Sequence, residues 1–331
     1  MATINRKAVK KLAAKQTSDG ASWKEIFLFT LVRLGVLVLL LVIDQFLVQG
    51  INSTGGLSGM GMRSALETAQ TVLQYANMFL APFWDIGILY WAICRARGRE
   101  TRFSTFAEGF RRFGPVFRLL LIQGLVLGTI YFICIFASSI LFAFSPLAFP
   151  LMKFMLPYME DPAAMEAVMV DTEFISQMLQ YMWPVYIILA LLLIPAVMPL
   201  YYRFRMATYI VMDKPHTGAV YALIRSFQIT KKQFKSLFLL DLSYWWYFAL
   251  EIFAGLLSCL FLLLPIMGIP TADPNTLILI SYLAGYLVQL SAHTLFRGRV
   301  ETTYALVYNA CNASVPEPKL PVPQRPSWNE E

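Results

Sequence analysis

Six stretches of mostly apolar residues dominate this chain: Ile26–Val48, Val72–Cys94, Val116–Phe142, Trp183–Ile210, Leu237–Leu264 and Thr276–Phe296. Each has roughly 20 or more residues, enough at about 1.5 Å rise per residue to cross a hydrocarbon layer of about 30 Å. A backbone in lipid must satisfy its own hydrogen bonds, and within one segment only a helix does so. The expected fold is therefore all-α, a polytopic bundle of six transmembrane helices. Composition agrees: 58% of residues are hydrophobic and 14% charged, against about half and a quarter in soluble domains.

The basic residues set an expected orientation. All of the 27 Lys and Arg except Arg33, Arg63 and Lys153 lie before the first span, after the last, or in the second-to-third and fourth-to-fifth connections and the adjoining span ends, where Arg118, Arg203 and Arg205 sit. Lys and Arg accumulate in cytoplasmic loops, so both termini are expected in the cytoplasm. A net charge of +7 beside membrane spans suits anionic lipid headgroups and argues against nucleic acid. The setting implied is a cell membrane, the bacterial plasma membrane, crossed several times. The first apolar run is longer than a signal-peptide core, and Gln49-Gly50-Ile51-Asn52 offers no Ala-x-Ala site, so it reads as a retained anchor.

Three regions are expected: a basic amphipathic segment at 1–25, the membrane domain at 26–310, and a Pro-rich cytoplasmic tail at 311–331. Phe103, Phe106, Phe110, Phe113 and Phe117 recur at helical spacing among Arg99, Arg102, Arg111 and Arg112. Val220, Ile224 and Phe227 precede Lys231, Lys232 and Lys235 in the same way. Both read as basic amphipathic helices on the membrane surface, their cations touching lipid headgroups. With the N-terminal segment they suggest three units of surface helix plus hairpin. Pro146, Pro150 and Pro157 are expected to break any continuous helix after span three. Asp161-Pro162 then opens an amphipathic helix running to Met182. Gly124-x-x-x-Gly128 offers a close helix contact in span three. Pro184, Pro195 and Pro199 are expected to kink span four.

Chemistry, if any, belongs to ionisable residues inside the spans, because burying them is costly. Arg33 and Asp85 lie at matching depths and suit an ion pair. Glu251 is the deepest acid, Asp241 lies nearer the inner end of the same span, and His293 sits near the inner end of span six. These five form the candidate intramembrane polar site. No zinc-protease, nucleophile-elbow or phosphate-loop motif occurs, and Cys94, Cys134, Cys259 and Cys311 lack metal-ligand spacing. No cofactor or metal is expected.

Ser226-Phe227, Lys231-Lys232-Gln233-Phe234-Lys235 and Phe238 through Trp246, with Thr303-Tyr304-Ala305 and Tyr308, form a recognisable phrase. In it the chain resembles a bacterial family of uncharacterised multi-pass membrane proteins. That family is distantly similar to the membrane domains of some glycerophosphoryl diester phosphodiesterases, which implies work on lipid or envelope. The first functional expectation is a non-enzymatic protein that transports or organises a lipid or other amphiphile. The alternatives are an accessory or scaffold subunit with a protein partner on the cytoplasmic face, and an intramembrane enzyme acting on lipid with His293 or Glu251 as acid–base.

Overall fold

The computed structural model describes residues 5–53, 60–159, 172–231, 233–260, 264 and 274–315. Among them every regular element is a helix. The chain runs through α1 (Arg6–Gln16), α2 (Gly20–Ser53), α3 (Met60–Ala96), a 3₁₀ turn (Phe103–Ala107), α4 (Glu108–Arg111), α5 (Phe113–Ala143) and α6 (Ala148–Met159). It continues through α7 (Thr172–Asp213), α8 (Ala219–Thr230), α9 (Phe234–Leu242), α10 (Trp245–Ser258), α11 (Pro274–Ala292), a π turn (His293–Arg297) and α12 (Gly298–Ala313). The all-α expectation holds.

Helices α2, α3, α5 and α7 have 34, 37, 31 and 42 residues. They are long and apolar enough to cross a membrane. Helices α9 and α10 make a fifth crossing if the pair, bent by 63°, counts as one. The described residues thus carry four or five of the six expected spans. The sixth segment is helical as α11 and the π turn, and α10 and α11 pack side by side.

At about 1.5 Å per residue the long helices exceed a hydrocarbon layer by 15 Å or more. The excess builds a core at one end. There the start of α2, the end of α3, the start of α5, the end of α7 and nearly all of α12 bury one another, around Phe29, Trp91, Phe106, Tyr209, Tyr304 and Tyr308. Arg97 clamps this end by donating to both oxygens of Asp213, at 2.5 and 2.8 Å, while the Tyr308 hydroxyl donates to the same carboxylate at 2.9 Å. Glu25 accepts from Trp91 Nε1 at 2.7 Å and from Thr101 at 2.6 Å, fixing the α2–α3 hairpin. Toward the other end large apolar side chains stand exposed, such as Phe46, Met78, Phe132, Phe144 and Leu191. A surface this apolar is stable in lipid, not in water.

Asp19 caps α2, accepting from the Ser22 amide at 3.3 Å and from Arg95 Nη1 at 3.0 Å. Burial works against its charge, but the Ser22 hydrogen bonds and Arg95 outweigh it and hold the carboxyl below its usual range. A depressed carboxyl stabilises the fold above its unfolded value and loses that contribution as pH falls through the folded one. Asp19→Ala is expected to cost about 1 kcal/mol at neutral pH. The difference from wild type should shrink in denaturation curves taken below about pH 4.

Several local expectations change. The Phe103–Phe117 stretch is not one surface helix: it folds as a 3₁₀ turn, α4 and the start of α5. Of its phenylalanines Phe106 is buried, stacking on Phe29 with centroids 4.2 Å apart, Phe110 and Phe117 are half-buried, and Phe103 and Phe113 are exposed, Phe113 still stacking on Phe83 at 4.9 Å. Aromatic spacing at three and four residues marks a packed face whichever neighbour it packs on. On α8 the buried face is Ala219, Ala222, Ser226 and Ile229, while Val220 and Ile224 point outward. The prolines after span three do not prevent a helix: α6 holds Pro150 in its first turn, where no amide donor is needed, and runs on through Pro157. The part of the expected surface helix that is described, Thr172–Met182, is continuous with span four. Residues 160–171 lie outside the described residues, as does the tail from 316. Among the described residues nothing lies within 4 Å of a Cβ added at Gly124 or Gly128, so the pair seats no close helix contact there. Helix α7 runs on through all three of its prolines.

Candidate functional site

Helices α2, α3, α10 and the π turn bring a chain of charged side chains together. Arg33 of α2 lies 3.1 Å from Asp85 of α3. Asp85 also accepts from Arg297 Nη2 at 2.5 Å. Arg297 Nη1 is 3.2 Å from His293 Nδ1, and His293 Nε2 is 2.6 Å from Glu251 Oε1 on α10. Tyr247, one turn before Glu251, lies beside that carboxylate. A guanidinium only donates, so Nδ1 must accept; the ring is then neutral, with its proton on Nε2, the nitrogen beside Glu251. The π turn puts His293 and Arg297 on one inward face, a local geometry often found at functional sites.

A second cluster lies alongside. Arg205 of α7 donates to Glu301 of α12 at 3.0 Å and to the Tyr201 hydroxyl at 3.0 Å. Its guanidinium lies over the Tyr304 ring, 3.5 Å from the centroid. The Tyr209 hydroxyl donates to Glu301 at 2.8 Å. Asp241 of α9 stands 4.0 Å from Arg205, with Tyr202 beside it.

Both clusters face one cavity of ≈ 600 Å³. Arg33, Arg205 and Arg297 supply three positive charges to its wall, and Asp85, Glu251 and Glu301 three negative ones. Gln123, Thr208, Gln289 and Tyr247 add neutral polar groups, and Ile86, Leu89, Leu127 and Val197 an apolar rim. Asp85 is the most open of the acids, 42% exposed, and it lines the cavity. The wall can bind anion and cation together, and the His293–Glu251 pair offers a place to hold a proton. The described residues contain no group of three or more His, Cys, Asp or Glu placed to hold a metal ion.

Of the residues singled out in the sequence, Arg33, Asp85, Glu251 and His293 meet in this cavity. Asp241 does not line it; it faces the neighbouring groove and is linked through Arg205. Arg205, Arg297 and Glu301 are additions from the structure. The charge count places both arginines among the orienting residues, yet their side chains are 11% exposed and their charges are spent inside. The available signal was His293-x-x-x-Arg297, two polar groups on one helical face at the end of an apolar run. Among the expected headgroup contacts, Arg99, Arg102, Arg111, Lys231 and Lys235 are exposed. Arg112 turns inward, donating to Glu108 and the Met212 carbonyl and stacking 4.4 Å from the Tyr90 ring centroid. Lys232 lies outside the described residues.

Long apolar helices around a charge-lined cavity define a class: a helical membrane protein with a polar interior site. The sequence of residues 1–297 matches the family described as Protein of unknown function (DUF975), and the chain belongs to that family. No curated protein and no solved structure matches it.

Proposed function

We propose that this is a six-span protein of the bacterial plasma membrane, with both termini cytoplasmic, that binds a lipid or other amphiphile in the charged cavity and transports or organises it. The observation that carries this reading is the cavity itself. Six charged side chains, each from a different helical element, converge on ≈ 600 Å³ of open volume. A network serving only to fix packing would gain most from closing on itself, because buried ion pairs stabilise little and cost much to desolvate. Leaving the space open suits a polar guest. The basic surface around Arg99, Arg102, Lys231 and Lys235 fits contact with anionic headgroups, and the resemblance to phosphodiesterase-linked membrane domains points the same way, toward lipid.

Glu251→Gln tests the reading. Glutamine keeps the shape of the side chain and an oxygen beside His293 Nε2, so the fold should shift by no more than about 1 kcal/mol. It removes one charge from the wall. The wild-type chain, extracted with native lipid, is expected to carry a stoichiometric amphiphile by mass spectrometry, and Glu251→Gln to lose most of it. Equal retention by both proteins would sink the proposal. Co-purification of a stable protein subunit without any amphiphile would favour the scaffold reading. The His293–Glu251 contact is the observation that keeps an enzymatic reading in play, and recovery of chemically altered lipid in the wild type alone would favour it.

A further inference from the structure

Beside the charged cavity lies an opening of opposite character. It is a groove of ≈ 740 Å³ between α7 and the bent α9–α10 pair, walled by Leu193, Ile194, Met198, Trp245 and Ile252, with Asp241 its lone acid. Ile194, Leu242, Trp245 and Ile252 are each more than half exposed along it. Cavity and groove are not independent. Val197, Tyr201 and Phe248 line both. Tyr201 accepts from Arg205 at 3.0 Å, and Arg205, in the cavity wall, stands 4.0 Å from Asp241, in the groove wall. One layer of side chains separates an apolar slot on the bundle surface from six interior charges.

The charges restrict what the pair of spaces accepts. The cavity wall carries three guanidiniums against three carboxylates, and Asp241 adds a fourth acid at the junction. With His293 neutral, the wall has no net positive charge to offer. A purely anionic head would bring an uncompensated charge into a low-dielectric site, at high cost. A head carrying both signs adds no net charge. Its phosphate can exchange onto a guanidinium in a charge-assisted pair, and its amine onto a carboxylate. We infer that the site takes one zwitterionic amphiphile, with an acyl chain in the α7–α10 groove and an amine-bearing phosphate head at Arg205 and the cavity. This rests on the amphiphile reading above and narrows it to one class of lipid and one path for its chain.

The test uses the full chain in nanodiscs holding equal amounts of phosphatidylethanolamine and phosphatidylglycerol with identical acyl chains, followed by detergent extraction and native mass spectrometry. The expected result is one phosphatidylethanolamine per chain, preferred by about tenfold, which corresponds to roughly 1.4 kcal/mol. Ala249 lines the groove and is exposed, so Ala249→Trp fills the slot without displacing the core. That variant is expected to keep the wild-type thermal midpoint and lose the bound lipid. Preference for phosphatidylglycerol, or undiminished retention by Ala249→Trp, overturns the zwitterion and groove assignment while leaving the wider amphiphile reading intact. Retention of neither lipid by the wild type overturns both.

Discussion

Asp85→Ala is expected to destabilise the folded chain by roughly 3 kcal/mol, the low end for breaking a buried pair. Asp85 holds two guanidiniums at once, Arg33 at 3.1 Å and Arg297 at 2.5 Å. Its removal leaves two cations facing each other in the interior with no carboxylate between them. The loss is kept from the upper end of the range because Asp85 opens onto the cavity, where water can reach the stranded charges. Asp85→Asn should be milder, since it retains an acceptor for one guanidinium. Thermal or denaturant unfolding in a fixed detergent reads the order: wild type above Asp85→Asn, and Asp85→Asn above Asp85→Ala. Wild-type stability in Asp85→Ala would mean that Arg33 and Arg297 are held by other groups.

Gly87→Ala is expected to do as much damage with one carbon atom. A Cβ at Gly87 of α3 would lie 2.1 Å from the Phe106 carbonyl oxygen and 3.0 Å from its carbon. Gly109 of α4 faces the same crossing, where a Cβ would lie 2.4 Å from the Phe83 carbonyl oxygen and 3.0 Å from the Gly87 amide. These obstacles are backbone atoms, which no rotamer change moves. Overpacking costs about 1–3 kcal/mol where side chains can adjust; here the cost should reach or exceed the upper figure, seen as lost yield of folded protein in detergent. Gly109→Ala should behave alike. The double variant should cost less than the two separately, because both force apart one interface. Gly124→Ala, with no neighbour within 4 Å, is the control and should be near neutral.

The contrast between these glycines shows what sequence reading reaches. Gly124 and Gly128 carry the familiar spacing, yet a Cβ there would meet none of the described residues, whereas Gly87 and Gly109 have no motif and let two backbones meet. Spacing along one helix says which residues share a face, not which partner the face meets. The same limit governs the charges. Arg33, Asp85, Glu251 and His293 stand out because they interrupt apolar runs, where any ionisable group is costly. Arg205 and Arg297 sit where those runs end, and a basic residue there reads equally as an orienting charge or an interior ligand. Only the third dimension separates Arg99, which is exposed, from Arg297, whose guanidinium is committed to Asp85 and His293. The all-α class was legible because twenty-residue apolar runs leave little choice. The core made by the helix ends was less so, since aromatic residues at helical spacing suit a lipid surface and a protein interior alike.

The central claim is that a bundle solvated by lipid encloses a charged, water-accessible cavity. Cysteine accessibility in proteoliposomes tests it most directly, in a background with the four native cysteines replaced. Gln289 of α11 lines the cavity, while Leu287, two residues earlier, is 65% exposed on the apolar surface. Small charged thiol reagents react with thiolate in water and not in hydrocarbon. Gln289→Cys is therefore expected to label rapidly and Leu287→Cys hardly at all, despite its greater exposure. Rapid labelling of Leu287→Cys with Gln289→Cys untouched would contradict the account, placing water where lipid belongs and closing the cavity.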